Sequence, residues 1–259
     1  MALTVSILAF LLLHLSGDPA LALAGEGARQ ADIDMIRKTY GLDRPLAVQY
    51  ADWLWHILQG DFGTSVYFKT EAGPLILSKL KTTLLLGMGA LGFALLISIP
   101  LGVLAALYKG SLIDRICLAI AVLGQALPNF FFALILIMLF SISLRILPVS
   151  GSGTWQHFVM PAIALGYYVA PAFMRLIRAG MLEVLGEDYI RTARAKGLPA
   201  RKIIFKHALR NAIVPVVALA AVQLGYLLGG SVVIETIYAL DGLGSVSYTH
   251  LTLPTILLV

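Results

Sequence analysis

The sequence predicts an all-α membrane protein, a polytopic helical bundle, and three observations carry that reading. Apolar residues make up 59% of the 259 and charged ones 13%, where a soluble domain has about a quarter charged. Mean hydropathy is +0.89. The apolar residues also come in blocks, approximately Thr82–Tyr108, Ile116–Ile142, Phe158–Ile177 and Ala212–Ile234, each near the roughly 20 residues a helix needs to cross hydrocarbon. Backbone in lipid must satisfy its own hydrogen bonds. The blocks lack the alternation that marks barrel strands, so they are helices. The single Cys117 excludes an internal disulfide framework and a cysteine-rich zinc site.

Taken in order, Ala2–Leu15 is apolar but only about 21 Å long as a helix. It reads as a first transmembrane helix, residues 1–16, whose beginning is absent. A signal peptide is the competing reading, with a small-residue site at Ala22-Leu23-Ala24 but no Lys or Arg before Arg29. In both, the following segment lies outside. Residues 17–81 form an extracytoplasmic insert of mixed composition, with seven Lys and Arg against eight acids. Its apolar and aromatic residues fit short amphipathic helices between turns at Gly41, Pro45 and Gly60-Asp61. Trp53 and Trp55 are packing or interfacial anchors.

Residues 82–244 form the transmembrane core, and its basic residues set the orientation. Nine bases against three acids fall between Arg175 and Arg210, which makes that segment cytoplasmic. Counting spans from it puts Lys109–Arg115 inside, and puts Arg145–Gln156, the insert and Glu235–Gly244 outside.

Reactive constellations are missing from the sequence. No Gly-Lys dipeptide occurs, so there is no phosphate-cradling P-loop. The five histidines are scattered without metal-site spacing. Ser150-Gly151-Ser152-Gly153 reads as a flexible turn after Pro148. Ionisable groups deep in the spans are nearly absent, which argues against proton coupling. The spans hold neutral polar residues instead: Ser98, Gln125, Asn129, Tyr167, Tyr168, Gln223 and Tyr226. Of these, Gln125, Asn129, Gln223 and Tyr226 are the candidate translocation-pathway residues. Gln125-Ala-Leu-Pro128-Asn129 joins two amides to a helix breaker, and Pro100, Pro161 and Pro171 interrupt other spans. These prolines are either kinks satisfied by neighbouring helices or a flexible pathway wall.

The cytoplasmic block carries the most information. Glu187–Lys196 reads as a helix stopped at Gly197, and Pro199 can begin a second helix through Arg201–Asn211. Small Ala193 and Ala195 permit close approach by a partner. A basic amphipathic helix lying on lipid is the other reading of the same composition.

Here the residues carry a resemblance. Asp188-Tyr-Ile-Arg-Thr-Ala-Arg-Ala-Lys-Gly197, followed by His207-Ala-Leu-Arg-Asn-Ala-Ile-Val-Pro215, resembles the cytoplasmic EAA loop of ABC-transporter permeases in the dipeptide, oligopeptide and nickel branch. Gly17-Asp18-Pro19, Gly41-Leu-Asp-Arg-Pro45, Gly60-Asp-Phe-Gly63 with Ser65, and Glu235-Thr with Gly242-Leu-Gly244 extend it over roughly residues 15 to 244. Within the general motif Ala193, Gly197 and Leu209 match. Arg191, Thr192, His207 and Arg210 depart from it, and Asp241 stands where the family usually has Pro.

The resemblance implies an ABC importer permease in a bacterial or archaeal cytoplasmic membrane, with about five spans present of an expected six. It implies a transmembrane subunit of an ATP-driven, binding-protein-dependent importer of peptides or related small solutes. The implied partners are a second homologous permease, two cytoplasmic ATP-binding subunits, an extracytoplasmic solute-binding protein and the bilayer, without nucleic acid. This chain is then no enzyme and holds no cofactor; ATP and Mg belong to the partner ATPases. The coupling loop, about 178–210, includes Asp188, Tyr189, Arg191, Thr192, Ala193, Arg194, Ala195, Lys196, Gly197, Leu198, His207 and Leu209. The alternative function is a stand-alone channel or secondary carrier; a membrane-embedded enzyme is a weaker rival. The last stretch, 245–259, is expected to be an atypical tail, too short and too polar to span.

Overall fold

The computed structural model describes residues 1–15, 17–25, 27–65 and 70–244. The described residues fall into two compact units, 1–78 and 79–244. The expected tail at 245–259 lies outside them.

In the first unit, α1 (Ala2–Leu15), α2 (Pro19–Ala24), α3 (Gln30–Thr39) and α4 (Leu46–Leu58) are joined by tight turns. Asp18 accepts from Ala20 N at 2.9 Å with Pro19 in the first helical position, a preorganised start for α2. Its carboxylate also meets Arg37 of α3 at 2.5 Å. That guanidinium holds the Asp18 pKa below its usual value. Along α1 and α4, Phe10 sits 5.4 Å from Tyr50 and 6.3 Å from Trp53, ring centre to ring centre. The Ser6 and Tyr50 hydroxyls bond at 2.8 Å. Trp53 therefore packs, while Trp55 stands 63% exposed. Two two-residue strands, β1 (Thr64–Ser65) and β2 (Thr70–Glu71), pair antiparallel. An all-α reading does not foresee them, and they leave the fold class unchanged.

The second unit is a bundle around α8 (Gln156–Val184), whose Phe173, Ile177 and Met181 are fully buried. Beside it run α5 (Ala72–Leu107) and α6 (Leu112–Ala126). Next comes α7 (Asn129–Leu136), continued by a π-helical stretch to Ser143. In lipid, such helices associate by close packing more than by the hydrophobic effect. Gly166 of α8 shows how close: a Cβ there would lie 2.4 Å from Ala90 O of α5. Ser98, fully buried, adds a hydrogen bond to Ala170 O at 2.7 Å.

The expected span Ile116–Ile142 is interrupted. Pro128 lacks an N–H and forces Leu127 into an extended conformation, φ −93° and ψ 130°, so α6 ends and α7 begins. Pro100, Pro161 and Pro171, in contrast, sit inside continuous helices. The last expected span is also divided, into α12 (Val214–Gly230) and α13 (Val232–Ile237), separated at Ser231. Among the described residues, α5 and α8 are each long and apolar enough to cross a membrane alone. The pair Ala200–Ala212 and Val214–Gly229, bent by 50°, is long and apolar enough only when its two arms are taken together, as a broken span or a re-entrant loop.

Candidate functional site

The segment expected to form the coupling loop, about 178–210, starts in the last turns of α8. Glu187 precedes α9 (Asp188–Ala195) in extended conformation, and α9 is amphipathic. Ile190 and Ala193 are buried, whereas Asp188, Tyr189, Arg191, Thr192, Arg194, Ala195 and Lys196 are exposed. Ala193 corrects the sequence expectation: its small side chain is used for packing against this chain's own core, and Ala195 alone of the two presents a small outward surface. Arg191 bonds Asp188 at 3.1 Å one turn back, and Thr192 Oγ1 donates to Asp188 O at 3.0 Å.

Gly197 ends this helix at φ +69° with open space around it. The left-handed conformation, not crowding, requires glycine there. Pro199 then opens α10 (Ala200–Lys202), which passes through a π-helical segment, Ile203–Ala208, into α11 (Leu209–Ala212). The expected second helix is thus present with an irregular centre. Tyr189 Oη accepts from Asn211 Nδ2 at 2.7 Å, which ties α9 to α11. His207 lies in the π segment, its Nε2 buried without a partner among the described residues. Leu198 and Leu209 are half-buried, and Leu198 lines a cleft with Leu107, Leu185 and Ile203. The loop therefore contacts the ends of α5 and α8.

Where α8 meets α6, Arg178 clasps Asp114 with two bonds, Nε to Oδ1 at 2.8 Å and Nη2 to Oδ2 at 2.7 Å. Gly110 N donates to the same carboxylate. The guanidinium first, then the Gly110 amide, lower the Asp114 pKa to about 2.

The four candidate pathway residues do not form one cluster. Gln125 accepts from Arg175 of α8 at 3.3 Å. Tyr226 of α12 lies against Tyr168 of α8, with ring centres 6.5 Å apart. Asn129 and Gln223 are half-buried. Both contacts converge on α8, a link no local sequence pattern reports.

A further site was missed altogether. Glu235, placed by sequence reasoning in an outer loop, is 1% exposed within α13. It accepts from Thr83 Oγ1 at 2.7 Å, Ser231 Oγ at 2.9 Å and Gly244 N at 2.7 Å. Gly242 leaves no room for a Cβ beside the carboxylate. The pattern Glu235-Thr with Gly242-Leu-Gly244 could have flagged this arrangement, because a carboxylate and a glycine turn make complementary acceptors and donors.

Residues 98–251 match the model of the binding-protein-dependent transport system inner membrane component, and residues 1–72 match its N-terminal companion. The chain belongs to this family. It is a permease subunit of a binding-protein-dependent ABC importer, not itself an enzyme, and the carrier alternative is set aside. Among relatives of this permease, the glutathione transport system permease protein GsiC of Salmonella typhi is 41% identical over 243 residues, covering 93% of this chain and 79% of its own length. GsiC of Escherichia coli (strain K12) is 40% identical over 241 residues, with the same coverage. The fold is similar to that of the MetNI methionine ABC transporter in an inward-facing conformation, with TM-score 0.56 at 23% identity over 69% of this chain and 81% of that one. An amino acid ABC transporter structure gives 0.51 at 17% identity, over 70% and 79%.

Proposed function

We propose that this permease is a multi-pass protein of a bacterial inner membrane, forming half of an import pathway together with a second homologous permease. Two cytoplasmic ATPases drive it and an extracytoplasmic binding protein delivers its solute, with ATP and Mg held by the ATPases. Residues Asp188 to Gly197, with Leu198, His207 and Leu209 behind them, form the coupling element. Gln125, Asn129, Gln223 and Tyr226 belong to the pathway. The solute is a small peptide of the glutathione type, a reading supported by the 41% identity to GsiC.

The observation that carries the coupling role is the shape of α9. Its exposed residues are polar, basic or small, its buried ones anchor it to the core, and Tyr189 braces it to α11. Such a helix moves as one body when a partner grips it. ATP closes the ATPase pair, the gripped helices shift, and the bundle exchanges inward and outward openings by differential binding to the two states.

The test is reconstitution of the four membrane and ATPase subunits in vesicles, with binding protein outside. ATP-dependent glutathione uptake that is lost when α9 is replaced by a flexible Gly-Ser segment is the expected result. Uptake by this chain alone, or cross-links from α9 to lipid only, would overturn the proposal.

A further inference from the structure

From His157 to Arg178, the most buried stretch of α8, Tyr168 and Arg175 are the exposed residues. They are seven apart, which puts them two turns from each other on one face, with half-buried Ala172 between. Exposed residues on neighbouring helices have a different character: Leu84, Leu85, Met88 and Leu96 on α5, Val217 and Val222 on α12. Those faces suit lipid or a partner helix. A stripe of Tyr and Arg does not, since a cation facing hydrocarbon is costly.

The surroundings of the stripe are polar as well. Tyr226, 55% exposed, stands beside Tyr168, and Gln125 bonds Arg175. Arg175 contrasts with Arg178, one turn away. Arg178 has one edge of its guanidinium, Nε and Nη2, filled by the Asp114 carboxylate in two-point geometry. Arg175 donates to one neutral oxygen, and among the described residues no carboxylate pairs with it. It also reaches toward the end of α6 opposite to Asp114, away from the end of α6 that Arg178 holds, which is the reverse of the direction a snorkelling Arg would take.

We infer that Tyr168, Ala172 and Arg175 line the solute pathway and that Arg175 is a station for a carboxylate group of the passing solute. A guanidinium with an open edge matches a carboxylate in two-point geometry, and every peptide with a free C-terminus carries one. The inference rests on the permease reading above and adds a chemical selectivity to it.

Two measurements test it. In the complete complex, with Cys117 replaced by Ser, an Ala172→Cys variant should react with water-soluble thiosulfonates. The anionic reagent should react roughly tenfold faster relative to its cationic counterpart than after a further Arg175→Gln change. An unreactive Cys at 172, or a ratio indifferent to Arg175, would overturn the inference whether or not transport is observed. In vesicles, Arg175→Gln should cut uptake of a free-acid tripeptide about tenfold and of its C-terminal amide no more than about twofold, with Arg175→Lys largely restoring the former. Equal losses for both peptides would also overturn it. Failure of wild-type uptake with the labelling ratio intact would instead sink the solute reading and leave the cationic pathway face standing.

Discussion

Thr83 and Glu235, 152 residues apart in sequence, meet through a 2.7 Å hydrogen bond from the Thr83 hydroxyl to a carboxylate oxygen. Thr83 Oγ1 in turn accepts from Leu243 N at 2.9 Å. The beginning of α5, the α12–α13 junction and the turn after α13 are thereby joined by one buried carboxylate. Nearby, Lys79 pairs with Asp241 at the same turn. A buried carboxylate is tolerable only when hydrogen-bonded throughout.

Glu235→Ala takes the acceptor from Thr83 Oγ1 and Gly244 N, while Ser231 Oγ keeps Leu228 O within reach, and each buried orphan costs about 1–3 kcal/mol. The purified complex should melt several degrees lower, read by thermal unfolding in detergent. Ser231→Ala should cost less, since Thr83 and Gly244 still serve the carboxylate. Equal stability of Glu235→Ala and wild type would show the network to be idle.

Gly197 should be replaceable by Asn but not by Val. The left-handed backbone costs a β-branched residue about 1–2 kcal/mol, whereas Asn tolerates it and the surrounding space is open. Co-purification with the ATPases should fall for Gly197→Val and hold for Gly197→Asn, while the permease itself remains folded by tryptophan fluorescence.

Ala193 and Ala195, two residues apart, should behave oppositely. Ala193→Leu overpacks a buried site and should destabilise the permease by about 1–3 kcal/mol. Ala195→Leu should leave its melting unchanged and weaken ATPase association, measured by pull-down at increasing salt. The same outcome for both would contradict the inward and outward assignment.

The Asp114–Arg178 pair sets a pH window. Because the folded-state pKa is depressed to about 2 from 3.8, the pair's contribution is fully present above the unfolded value and is lost as pH falls toward the folded one. The gap in melting temperature between wild type and Asp114→Asn should therefore be constant at neutral pH and shrink below about pH 4. A gap that widened on acidification would show that the carboxylate is not held ionised.

Much of this was legible in the sequence because it is written locally. The apolar blocks, the stop at Gly197 and the start at Pro199 each depend on a few adjacent residues, whereas Pro128 reads as a kink within one span, Ile116–Ile142, and in the structure divides α6 from α7. Gln125 and Tyr226 were legible as polar residues among apolar ones, though not what they touch. Arg175 was counted as one more cytoplasmic charge, since counting cannot say that its side chain reaches Gln125. Glu235 reads as a loop acid because two of its three donors, Thr83 and Gly244 N, lie on α5 and beyond α13. Ala193 looked available to a partner because burial on an amphipathic helix is decided by which face meets the core.

The 50° angle between Ala200–Ala212 and Val214–Gly229 has a mechanical outcome. A straight rod pushed at its inner end would slide along its own axis, a motion the bilayer barely registers. A cranked one converts the same thrust chiefly into sideways swing of its far arm. On the coupling proposed for α9, the stiffness of that crank would govern how much thrust reaches the far arm, so loosening it should squander strokes without reducing fuel consumption.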